Sequence, residues 1–97
     1  MTIAQTIIEQ IGTDAWLAVS ARNPIDHGDK ITFRFGSRHG LPQYIEIAYR
    51  HASDDYSIAG YRIHRNGCKR VIAEYEGITW ESLGWLVRDI NNEAVFA

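Results

Sequence analysis

Along the first twelve residues, apolar positions recur at the spacing of one helical face. Ala4, Ile7, Ile8 and Ile11 fall on that face, and Thr2 with Gln5 three residues later forms the spacing of a capping box, in which each side chain satisfies an orphan backbone donor. Gly12 supplies a left-handed stop. The run Trp16-Leu17-Ala18-Val19 then reads as a short buried strand, with a continued helix as the alternative. Asn23-Pro24 ends the segment, because the residue before a proline is pushed out of the helical region, and Asp26-His27-Gly28-Asp29 makes a polar turn.

The pattern changes period after that turn. Ile31, Phe33 and Phe35 alternate with Thr32 and Arg34, as in a half-buried strand with its apolar face on the odd positions. Gly36 to Pro42 forms a loop with a glycine near each end, and Ile45, Ile47 and Tyr49 resume the alternation against Glu46 and Arg50. Ser53-Asp54-Asp55 marks the next turn. Strands through Tyr61 and Ile63 and through Val71, Ala73 and Tyr75 follow, joined across Asn66-Gly67. A three-residue loop, Arg65-Asn66-Gly67 with Gly67 at positive φ, places Tyr61 and Ile63 on one face with Val71, Ala73 and Tyr75; a two-residue loop would reverse that. Ile58 falls out of phase with Tyr61, so Gly60 marks a bulge or kink.

Gly77 and Thr79 announce the final helix, with Thr79 as N-cap and Glu81 in the first turn, where the helix dipole favours an acid. Leu83, Leu86, Val87, Ile90 and Ala94 form its buried stripe. The predicted fold class is therefore α+β: an antiparallel meander of four to five strands flanked by an N-terminal and a C-terminal helix, in one domain over residues 1–97. The helices cover the odd face. The even face, with Arg34, Tyr44, Glu46, Arg50, Arg62, His64, Arg70, Ile72 and Glu74, is left for solvent or a partner.

Charge adds to this picture through its placement. The net charge is only −2, yet residues 30–70 hold eight basic side chains against three acidic ones, a balance of +5, while the flanks hold nine acidic against two basic, a balance of −7. If the middle and the flanks occupy different layers, the molecule has an acidic side and a basic side. With 97 residues there is room for a single core, and the one cysteine, Cys68, excludes an intrachain disulfide and a cysteine-built zinc cage. That cysteine usage points to a reducing, cytoplasmic setting, and no stretch approaches the roughly 18 apolar residues of a membrane span.

Catalytic motifs are missing from the sequence. His27, His39, His51 and His64 stand about a loop apart and not at metal-ligand spacing, and Cys68 beside a hairpin turn reads as structural. The loop between Gly36 and Gly40 joins two strands and lacks the phosphate-cradle pattern that opens onto a helix. Neither a cofactor nor an enzymatic activity is expected. Two binding signals survive. Arg34, Tyr44, Arg50, Tyr56, Arg62, Arg65 and Arg70 interleave cations with aromatic rings along strands, a composition suited to phosphate contact and base stacking. Asp26, Asp29, Glu74, Glu76, Glu81, Asp89 and Glu93 lie on the flanks, where carboxylates suit a basic protein groove that normally holds nucleic acid.

The stretches Thr2–Gly12, Asp55-Tyr56 and Ala73–Ile78 resemble a group of small proteins encoded by phages and other bacterial mobile elements, with Thr13 and Trp16 where such relatives usually carry a second glycine and a phenylalanine. In size and character the chain is similar to type I anti-CRISPR proteins. The resemblance implies a non-enzymatic inhibitor that binds a bacterial CRISPR-Cas surveillance complex and occludes or mimics its target DNA with the acidic residues. The basic and aromatic sheet face implies the other outcome, a small nucleic-acid-binding module.

Overall fold

The computed structural model describes residues 2–35, 43–63 and 65–96, and the side chains of these except residues 43 and 91–96. The Gly36–Pro42 loop, His64, and the side chains of Ala94 and Glu93 thus lie outside the described residues. Helices α1 (Ile3–Ile11) and α2 (Thr13–Ala18) precede strands β1 (Arg22–Asp26), β2 (Lys30–Phe35), β3 (Gln43–Arg50), β4 (Asp55–Ile63) and β5 (Lys69–Ile78). A single 3-10 turn at Trp80–Ser82 then leads into α3 (Leu83–Phe96). The strands pair antiparallel in the order β1-β2-β3-β4-β5, so the α+β meander expected from the hydrophobic pattern is the architecture observed.

The capping box forms as its spacing demands: the Gln5 backbone N–H donates to Thr2 Oγ1 at 3.1 Å and the Thr2 N–H to Gln5 Oε1 at 2.9 Å. Ala4, Ile7 and Ile11 are buried on α1, and Ile8 packs at the margin of the same core. Gly12 has φ +87° and ψ 150°, so its φ is positive as expected but the residue is extended and not left-handed helical. That region is essentially open to glycine alone, and it lets one residue end α1 and begin α2.

Trp16–Val19 is not a strand. The segment is helical from Thr13, with Trp16 N–H donating to the Gly12 carbonyl at 3.0 Å. Burial explains the outcome: Ala15 and Val19, four apart, are buried at 5% and 3% exposure while Leu17 is 69% exposed, which is helical and not alternating periodicity. The Trp16 ring settles on Phe33, centroids 4.8 Å apart. The fifth strand comes instead from Arg22–Asp26, every residue of which is exposed. It holds Pro24, which has no N–H to give a ladder, and the sheet accommodates it because β1 is an edge and is bulged between Arg22 and Ile25, with Asn23 at φ +56°.

One face of the sheet carries the core. Ile31, Phe33, Phe35, Ile45, Ile47, Tyr56 and Ile58 meet the helical residues Ile7, Ile11, Leu83, Leu86, Val87 and Ile90. Two glycines set the approach of α3. A Cβ at Gly60 would lie 2.4 Å from Ile90 Cγ2, and one at Gly84 would lie 2.5 Å from the Ile11 carbonyl oxygen. Among the described residues, no helix covers the other face of the sheet, and no helix is long and apolar enough to cross a membrane.

Register corrects the expected faces beyond β3. The turn between β3 and β4 spans His51–Asp54, with Asp55 already paired to Arg50, so Tyr44 faces Tyr61 and Ile45 faces Gly60. On β4 the core side is therefore even: Tyr56, Ile58 and Gly60. Gly67 has φ +84°, and Tyr61 pairs with Val71, as the longer turn predicts. A bulge between Gly60 and Tyr61 then sends Ala73 and Tyr75 to the core side, paired with Gly60 and Ile58, while Tyr61 and Val71 stay on the bare side. By the same alternation Arg62 and Arg70, paired with each other, belong to the helix-covered side and do not share the bare face with Arg34 and Tyr44.

Candidate functional site

The bare face presents two features built by cross-strand register. The first is a ladder of cations and rings. Arg34 and Tyr44 are partners across β2 and β3, as are Tyr44 and Tyr61 across β3 and β4. The tyrosine rings stack with centroids 5.4 Å apart and 12° between planes. Arg34 Cζ stands 5.5 Å from the Tyr44 centroid and Lys69 Nζ 4.1 Å from the Tyr61 centroid, so a cation flanks each end of the stack. Contacts of this kind contribute about 0.5–1 kcal/mol each at exposed sites. Burial, with the Glu46 charge behind it, holds the Tyr61 phenol above its ordinary pKa.

The second feature is a groove of about 510 Å³ at the β1 edge, with Asn23, Ile25, Thr32, Arg34, Tyr44 and Glu46 among its lining residues. Lys30 Nζ closes one side on Glu46 Oε1 at 2.9 Å, a contact that raises the lysine pKa, and His27 Nε2 lies 2.9 Å from Thr32 Oγ1. Arg34 Nε is buried and has no hydrogen-bond partner among the described residues. A volume of this size suits a small ligand or one unit of a polymer.

Charge sorts along the strands and not between layers. The β1–β2 turn, the β3–β4 turn and the C-terminal end of β5 lie at one end of a meander, and they bring Asp26, Asp29, Asp54, Asp55, Glu76 and Glu81 to that end. The opposite end holds Arg22, Arg34, Arg62, Arg65, Lys69 and Arg70. Asp54 and Asp55 from the middle of the chain join the acidic end and Arg22 from a flank joins the basic one, so position in sequence is a poor guide to position in space. Of the expected acidic residues, Glu74 instead stands mid-strand opposite Ala59, and Asp89 is half-buried on α3.

The two ends are committed differently. At the acidic end Arg50 bridges Asp55 at 3.2 Å and Glu76 at 3.5 Å, Asp26 Oδ1 accepts from the Gly28 N–H at 2.8 Å, and the Tyr49 hydroxyl donates to Asp54. That last bond raises the Tyr49 pKa, since ionisation would set a phenolate against a carboxylate. At the basic end Arg22, Arg34, Arg65, Lys69 and Arg70 form no ion pair among the described residues.

No family model, curated protein or solved structure matches the chain. Among the described residues no three His, Cys, Asp or Glu side chains converge as metal ligands would, and Cys68 is exposed in its turn, its N–H donating to Asn66 Oδ1 at 3.0 Å. Sequence reasoning found Arg34 and Tyr44 but missed Tyr61 and Lys69 as members of the ladder. The signal was present in the hairpin: counting outward from a turn centred between Ala52 and Ser53 sets Tyr44 opposite Tyr61.

Proposed function

We propose that this protein is a non-enzymatic cytoplasmic binding module that holds nucleic acid along the basic end and bare face of its sheet. The observation that carries the reading is the contrast in commitment: Asp26, Asp54, Asp55 and Glu76 are engaged by turn groups, by Tyr49 or by Arg50, whereas Arg22, Arg65, Lys69 and Arg70 are exposed without carboxylate partners among the described residues. Unpaired cations on one rim attract a phosphate backbone, and the adjoining aromatic face offers contact to bases. Fluorescence anisotropy with short labelled DNA and RNA at low salt tests this. Binding that weakens as salt rises, and that the double variant Arg65→Glu/Arg70→Glu abolishes, is the expected result; absence of binding to either polymer at low salt overturns the reading.

A second reading is supported by the other end of the sheet. There Asp26, Asp29, Asp54, Glu76 and Glu81 are exposed, the Glu76 side chain at 76%. In this reading the protein is a phage or prophage inhibitor that docks those carboxylates on the DNA path of a CRISPR-Cas surveillance complex, as its resemblance to type I anti-CRISPR proteins suggests. Binding to such a complex that fades with salt and is lost in Asp29→Asn/Glu76→Gln supports the inhibitor; binding to free nucleic acid argues against it.

A further inference from the structure

Resting on the nucleic-acid reading, we infer that Arg34 is a displaceable cover over Tyr44, and that a single-stranded nucleic acid is bound by exchanging this arginine for one base. The two cations of the ladder are not equivalent. Lys69 sits 4.1 Å from the Tyr61 centroid, whereas Arg34 is held at 5.5 Å from Tyr44 with its Nε buried and without an acceptor among the described residues. A buried N–H without an acceptor is costly, and the looser ring contact returns little for it. Arg34 therefore leaves its resting place more easily than Lys69 does.

Its departure changes both ends of the contact. A guanidinium that swings off the ring offers Nε and one Nη to a phosphate as a planar fork, which supplies Nε with an acceptor. The uncovered side of Tyr44 opens toward the groove bounded by Ile25 and Thr32, and the other side keeps its stack on Tyr61. One base then continues the stack in place of the guanidinium. A duplex keeps its bases paired and stacked, so it makes the phosphate contacts without this exchange.

The test is an NMR titration of the full chain with a short oligothymidylate and with a matched duplex, followed by affinities for Arg34→Lys and Arg88→Lys. With the single strand, the Tyr44 ring protons are expected to shift upfield together with amides of the basic end, and with the duplex the amides alone shift. Arg34→Lys, which keeps the charge and loses the fork, is expected to weaken single-strand binding about tenfold, on the scale of one base stack, while Arg88→Lys, exposed on α3 away from the ladder, stays near the parent. Amide shifts without movement of the Tyr44 ring, or an Arg34→Lys variant that binds as well as the parent, overturn the exchange and leave the nucleic-acid reading standing. If no resonance moves with either polymer, that reading fails and the inference fails with it.

Discussion

The two faces of this sheet are made from the same strands and obey different constraints. On the covered face, Phe33 and Ile58 are each 1% exposed and Gly60 is pressed against Ile90, so size and shape are fixed to within a methyl group. On the bare face, Thr32, Arg34, Tyr44, Glu46 and Tyr61 are half-buried, and among the described residues no helix layer covers them. Stability resides in the first face, and the second is free to carry charge and aromatic edges. What a substitution does should therefore depend on which side of a strand it falls, more than on which strand it is in.

The sharpest break of that contrast is Phe33→Ala, which empties a site between Trp16 and Phe35. A loss of about 3–5 kcal/mol is expected in urea unfolding. Next come the two glycines. Gly84→Ala sets a methyl against the Ile11 backbone oxygen, which cannot rotate away, and a loss of about 1–3 kcal/mol is expected; Gly60→Ala meets a side-chain methyl and should be milder. Equal losses at the two sites would show that the helix layer yields as a rigid body. Tyr44→Leu, on the bare face, removes one stack and one cation contact and is expected to cost about 1 kcal/mol while weakening single-strand binding. A stability loss matching that of Phe33→Ala would erase the distinction between the faces.

The smallest effect is one of pH. Tyr49, Tyr56 and Tyr61 all have raised pKa values, Tyr49 through its bond to Asp54 and the other two chiefly through burial. The folded state thus holds these protons more tightly than the unfolded chain, whose tyrosines titrate near pH 10. Their contribution is complete below that pH and is lost as pH rises through the raised folded values. Denaturation midpoints should hold steady from pH 8 and fall above about pH 10, with a shallower fall in Tyr56→Phe; a flat profile to strongly alkaline pH would count against the burial of these phenols.

Much of the fold could be read from local pattern. The capping box at Thr2 and Gln5, the alternation in β2 and β3, the positive φ at Gly67 and the stripe Leu83, Leu86, Val87 and Ile90 each follow from contacts within a few residues. The run Trp16–Val19 was not legible in the same way, because four apolar residues satisfy either period until the position of Phe33 decides which of them are buried. The candidate site was legible only in fragments. Arg34 and Tyr44 stand out by composition, but Tyr61 and Lys69 join them through a register and a bulge.

By itself, then, the sequence settled which segments alternate and which turn, since those preferences act over a few bonds. It also settled that the chain builds one α+β layer pair. Only the tertiary structure decided which charges meet. A meander folds every second turn to the same end, so Asp29, Asp54 and Glu76, distant along the chain, gather at one rim and Arg22 joins Arg65 and Arg70 at the other. The reason is geometric: charge positions in space follow strand direction and register, and these are set by packing of the covered face, whose buried core holds no charged side chain among the described residues.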